Sequence, residues 1–425
     1  MRHAMHIIAI AALIALTPMV PTAAFAQEVI PGATLESLLS LAKDRNPDYA
    51  SMRYEAQAAS ERVTPAGALP DPKFRTELMD ITRMGEQNPT LLPGNVGSTR
   101  YTLMQDLPWF GKRDLKREIA QLEADGSQGK VDASWTELKA KIKVTQAQRA
   151  YLRGSEKLTQ EILDLMQRLE KISQARYAGG LAAQQDVIRA QVEQTNMKNE
   201  LVALTSESRQ ANARLNTLLS RPATAPLAVP DILNGVPGSA QLDFAKLAEQ
   251  ARSRNPQLFT ELARTRAAEK NRDLTYKNRY PDFTLSISPT QYQTAIKEWA
   301  LMVEVNIPLQ QSSRRAQERE AEAMLAAAQS RKEALANQLL SDLAENLAAL
   351  DAAQSSGVLA GTSLLPQAEL TFSSALASYE TGKVDFATLL DAQRQIRQAR
   401  QTRIKAQFEA QMRLAEIEKI VGEDL

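Results

Sequence analysis

From Glu298 to Ile307 the chain alternates without a break. Trp299, Leu301, Val303, Val305 and Ile307 fall on one side; Glu298, Ala300, Met302, Glu304 and Asn306 fall on the other. Phe283, Leu285 and Ile287 oppose Thr284, Ser286 and Ser288 in the same way, and Phe74, Thr76 and Leu78 oppose Lys73, Arg75 and Glu77. A fourth run, carrying Tyr101, Leu103 and Leu107, stops at Pro108. A period of two predicts β-strands with one apolar and one polar face. Elsewhere the period lengthens. Leu158, Ile162, Leu165, Leu169 and Ile172 step by four and three, as do Val131, Trp135, Leu138 and Ile142, the spacing of a coiled-coil seam.

Together the periods predict two matched halves, each a helix, a β-hairpin, a long helix, a turn and a second long helix. In the first half these are Leu35 to about Val63, then 71–107, 111–178 and 182–219; in the second, 243–279, 282–307, 312–380 and 385–421. The longest helices would reach roughly 100 Å if straight, with Gly154, Gly357 and Pro366 as candidate kinks.

The residues themselves repeat. Arg45-Asn46-Pro47 returns as Arg254-Asn255-Pro256, and Pro70-Asp71 as Pro281-Asp282. Pro108 returns as Pro308, and Tyr177 with Gly180 returns as Tyr379 with Gly382. A Pro/Gly-rich connector over 222–242 separates a first repeat (27–221, with its helical hairpin over about 111–220) from a second (243–425, with its helical hairpin over about 312–421).

Apolar one way and polar the other over about ten residues suits a membrane barrel strand with a wet interior. A soluble two-sided sheet would explain one such strand. Four of them, each pair running into a helix too long to cover a small sheet, favour the barrel. Four strands cannot close in lipid, where each unpaired backbone group costs several kcal/mol. The chain must then assemble with copies of itself. Pro70, Pro108, Pro281 and Pro308 mark the junctions between barrel and helix, where the ladder must end and a proline removes a donor.

Composition narrows the function classes. Residues 1–26 have a basic start, an apolar run from Ile7 to Leu16 and an Ala24-Phe25-Ala26 cleavage pattern, so they read as a removed signal peptide. There is no cysteine, and both histidines, His3 and His6, lie in that leader. Triads, thiol nucleophiles, zinc fingers and histidine switches are therefore excluded from the mature chain. A net charge of +1 gives no field favouring nucleic acid. No metal site, cofactor or catalytic constellation is expected, and the protein is not expected to be an enzyme. Met79, Met84 and Met104 near the first hairpin are potential thioether contacts for Cu(I) or Ag(I), although scattered methionines are more often packing residues.

The duplicated halves, "LPDP" before the first strand, "LPWFGKR" after the second and the "Y-x-x-G" turns resemble the TolC-type outer-membrane factors over essentially the whole mature chain. "ALPDPKF" and "DLPWFGKR" resemble the heavy-metal efflux branch. The resemblance implies a mainly α protein with a membrane β part. It would be a homotrimer whose twelve strands form an outer-membrane barrel on a periplasmic α-barrel. Its partners would be a periplasmic adaptor, an inner-membrane transporter of the resistance-nodulation-division class and outer-membrane lipid. Its cargo would be copper and silver or zinc, cobalt and cadmium. A duct for drugs or other organic solutes is the alternative, with a periplasmic adaptor as the rival outside the family. Many relatives in the metal branch carry a lipidated cysteine after the leader; this chain, starting near Gln27, is expected to lack that anchor.

By the same resemblance, the turns holding Gly179, Gly180 and Leu181 and holding Gly382, Val384 and Asp385 dock the adaptor at the periplasmic tips. Asp186, Tyr379 and Lys383 are candidates for a latch there, and Asp391 for a lumen-facing acid. Asp186 and Asp385 also stand at helix starts, where capping and the helix dipole account for a carboxylate without any gate. For Asp391 a solvated helix face is the equal alternative.

Overall fold

The computed structural model describes residues 31–32, 34–230, 236–238 and 242–425. The expected signal peptide and parts of the connector lie outside the described residues. Two short helices, α1 (Leu35–Arg45) and α2 (Pro47–Glu61), and a single turn, α3 (Val63–Ala66), lead into strands β1 (Lys73–Met79) and β2 (Ser98–Leu107). The long hairpin α4 (Lys112–Ala178) and α5 (Gln184–Leu218) follows. The second half repeats this as α6 (Phe244–Arg254), α7 (Pro256–Lys277), β3 (Asp282–Tyr292), β4 (Ala295–Asn306), α8 (Gln311–Leu359), α9 (Leu365–Glu380) and α10 (Phe386–Val421). The four strands form one antiparallel sheet in the order β1-β2-β3-β4. No helix among the described residues is long and apolar enough to cross a membrane.

The helix expected from Leu35 to Val63 is broken, and so is its counterpart over 243–279. The repeated Arg-Asn-Pro is the reason. Pro47 has no N–H to continue α1. Asn46 turns extended, and its side chain accepts from the N–H of Tyr49 at 2.9 Å to start α2. Its amide donates to the carbonyl of Leu218 at 3.0 Å, at the end of α5, where no intrahelical donor remains. Asn255 does the same, accepting from Gln257 and Leu258 at 2.9 and 3.0 Å and donating to Ile420 at 2.8 Å, near the end of α10. Each asparagine is thus both a helix cap and a tie. Asn255→Ala is expected to lower unfolding stability in detergent by about 1–2 kcal/mol, the cap plus a stranded carbonyl. Asn255→Asp keeps the cap alone and should fall between; equal stability of all three would remove the tie.

The two halves build matching cores. Leu38, Ala42 and Tyr49 pack on Leu138, Ile142 and Leu215 in the first, and Leu247 and Ala251 pack on Leu343, Leu350 and Ile417 in the second. A third core joins both hairpins at their far end. There the seam of α4, with Leu158, Ile162, Met166 and Leu169, meets Tyr379 of α9 and Phe386 and Leu389 of α10.

Two of the three candidate kink residues, Gly154 and Gly357, lie at close helix contacts. α4 runs unbroken through Gly154, where a Cβ would stand 3.3 Å from Ile404, and at Gly357 a Cβ would stand 3.4 Å from Ala406. Pro366 does mark an irregularity. It follows a π turn over Ala360–Leu364, which absorbs the missing N–H between α8 and α9. The start of the connector is held by Arg149, which is buried with no carboxylate partner among the described residues. Its guanidinium donates to Asn212, Gln146 and the carbonyl of Ala228, each at 2.7 Å, and burial lowers its pKa to about 10.

Candidate functional site

The sheet register sorts every strand residue onto one of two faces. Phe74, Leu103, Ile287 and Leu301 stand side by side in one row across all four strands, and all are exposed. Leu107, Phe283 and Val305 form another such row. The opposite face carries Arg75, Thr102, Asp106, Thr284, Ser288 and Glu304. Its polar groups bond to one another: Lys73 to Asp106 at 2.8 Å, Thr284 to Asp106 at 2.7 Å, and Thr102 with Ser288 at 3.0 Å. An apolar outside and a bonded, wettable inside are what a lipid-embedded wall requires. β1 and β4 are the two edges, and β4 is exposed along its whole length.

The prolines bracket the strands. Pro108 directly follows β2, Pro281 directly precedes β3, and Pro70 and Pro308 lie within three residues of β1 and β4. Behind them is a locked joint whose members were not legible one by one. Asp282, the first residue of β3, accepts from the N–H of Trp109 at 2.7 Å and from Lys112 at 2.8 Å; Lys112 also donates to the carbonyl of Tyr280 at 3.1 Å. The Trp109 ring stacks on Tyr280 and Phe283, with centroids 5.1 and 5.7 Å away. Lys112 is buried, although it opens a charged helix. Gly111 takes φ of +77°, and a Cβ there would strike the ammonium of Lys277, which donates to the carbonyl of Phe110.

At the far end the two turns close alike. Leu181 N–H bonds to Arg176 and Gly180 N–H to Tyr177, at 2.8 and 2.9 Å; Lys383 bonds to Ser378 and Gly382 to Tyr379, at 2.8 and 3.0 Å. This helix-ending motif needs left-handed backbone at Gly180 and Gly382, with φ of +72° and +77°. Gly179, at φ −81°, does not need it. Leu181 is exposed, Val384 packs against the tip core, and Asp385 caps α10 by accepting from the N–H of Thr388 at 2.9 Å. Its bonds to Thr388 hold the Asp385 pKa below the usual carboxylate range.

Tyr379 is only 2% exposed. Its hydroxyl meets Ser173 at 3.1 Å, and Arg176 covers its ring at 4.8 Å. Asp186 lies close to that hydroxyl; burial raises its pKa, Asp385 adds to the rise, and Arg189, Arg176 and Tyr379 oppose it. The structure therefore brings Asp186 and Tyr379 together. Lys383 stands exposed and outside this cluster, and the cations in place come from the first half of the chain: Arg189 acts on Asp186, and Arg176 acts on Asp186 and covers the Tyr379 ring. The repeat held a signal for Arg176, which precedes Tyr177 where Ser378 precedes Tyr379. Asp391 is exposed on α10, 3.4 Å from Arg394, which also pairs with Glu193 of α5. No cluster of His, Cys, Asp or Glu among the described residues is placed to hold a metal ion.

Known proteins share this arrangement. The family described as "Outer membrane efflux protein" matches residues 38–221 and 247–423. The cobalt-zinc-cadmium resistance protein CzcC of Cupriavidus metallidurans is 26% identical over 391 residues, covering 90% of this chain and 88% of that protein. The solved outer-membrane channel OprN superimposes with a TM-score of 0.78 at 20% identity, covering 91% of this chain and 89% of that one. CusC, described as forming a transmembrane channel, gives 0.78 at 17% identity and 93% of each chain. The chain belongs to the outer membrane efflux protein family, whose members are passive channels and not enzymes.

Proposed function

We propose that the chain is the outer-membrane exit duct of a tripartite pump that expels heavy-metal cations. Three copies would close the barrel, with an adaptor docked at the turns around Gly180 and Gly382 and a proton-driven transporter in the inner membrane. The observation carrying this reading is the two-faced sheet with both edges unpaired, set on helices that run far from it. The likeness to a cobalt-zinc-cadmium resistance protein supports metal as the cargo. Deleting the gene from its host should lower growth on the zinc, cobalt and cadmium series or on copper and silver, with recovery on complementation. Sensitivity to organic compounds alone would move the cargo to drugs.

Asp186 with Tyr379 is the latch in this reading. Asp186→Ala should raise single-channel conductance in planar bilayers; an unchanged value would retire the latch. The raised pKa of Asp186 sets the sign of the pH dependence. The native tip holds the proton better than the unfolded chain, so tip packing is firmest at low pH and weakens as pH rises through the raised value. That part of the stability should show in thermal unfolding in detergent as a pH dependence that Asp186→Asn flattens; an Asn variant with the wild-type pH dependence would contradict it.

A further inference from the structure

The wet face of the sheet is made of charges, hydroxyls and amides, with few exceptions. Met79 lies at the far end of β1, and Ala295 and Ala300 are small. The remaining two are Met104 and Met302, and the register puts them in one row, on either side of Ser286. A methionine used for apolar packing belongs on the other face, with Leu103 and Leu301. Ser286 is 2% exposed, and its hydroxyl has no hydrogen-bond partner among the described residues. Lys73, next in the row, is drawn away to Asp106. Glu304, two residues from Met302 on the same face, makes no ion pair among the described residues.

Neighbouring strands place paired Cα atoms about 5 Å apart, so the two methionines stand about 10 Å apart with the serine between them. Each side chain ends in a flexible thioether able to lean over Ser286. Thioethers are soft, uncharged donors that select Cu(I) and its analogue Ag(I) over zinc or cobalt. Neutral donors hold a cation weakly, which suits a wall that cargo must leave.

We propose that Met104, Ser286 and Met302 form a binding site for a soft monovalent cation, Cu(I) or Ag(I), on the barrel wall. The site rests on the duct reading for its place in the lumen. Ag(I) is the probe, titrated into the purified assembly in chloride-free detergent buffer, with bound silver measured after equilibrium dialysis. Met104→Leu and Met302→Leu preserve volume, and unchanged heat-modifiable migration shows that each variant still assembles. Each should bind silver at least about tenfold more weakly, since losing even a group that only supports a ligand costs about that much, and the double variant should lose one silver per chain, while Zn(II) binding stays the same. Equal silver on the wild type and the double variant overturns the site. If gene deletion sensitises the host to metals but silver binding is equal, the site fails and the duct stands. Silver lost with the methionines in a host whose metal tolerance is unchanged by deletion leaves the site standing and removes the metal cargo.

Discussion

Leu301→Arg is expected to prevent assembly in the outer membrane, while Ala300→Arg, one residue earlier, is expected to be tolerated. The two side chains leave β4 on opposite faces. Leu301 shares its row with Ile287, Leu103 and Phe74; Ala300 pairs with Ser288 on the polar face. A guanidinium near the middle of the hydrocarbon costs about 2–4 kcal/mol per chain, and a lumen position costs little. The cost repeats in every copy of a symmetric barrel. Outer-membrane fractionation and heat-modifiable migration read the difference. Equal tolerance at both positions would mean that the sheet does not face lipid.

The second large effect is at the joint. Asp282→Ala removes both the partner of buried Lys112 and the acceptor for the Trp109 N–H. Stripping one member from a buried pair costs about 3–5 kcal/mol. The Asp282 side chain is 44% exposed, so water relieves part of this and about 2–3 kcal/mol is expected. Asp282→Asn keeps an acceptor without the charge and should lose less. Lys112→Met should be milder still, because it removes the buried cation and leaves an acid that water can reach. Thermal unfolding in detergent ranks the three, and a Lys112→Met loss as large as that of Asp282→Ala would contradict the argument.

The periodic parts of the fold were legible because a single physical requirement sets each period. Alternation exposed the two faces of β3 and β4, and the four-three seam exposed the buried side of α4 at Leu158, Ile162 and Leu169. The Arg-Asn-Pro repeat is visible as a repeat. Its effect, a helix break with a tie to a distant carbonyl, is not, because the partner is a backbone group that leaves no mark in the sequence. Lys112 is hidden for a different reason. A lysine in a charged run reads as solvated, and only the fold brings Asp282 to it. At the tip, the sequence points to a basic partner beside Gly382, whereas the duplicated hairpins bring Arg176 across from the other half.

The most direct test is the mass of the purified protein in mild detergent, taken with conductance in a planar bilayer. Particles of three chains that open a pore are the result expected here. Single chains that leave the bilayer sealed would contradict it.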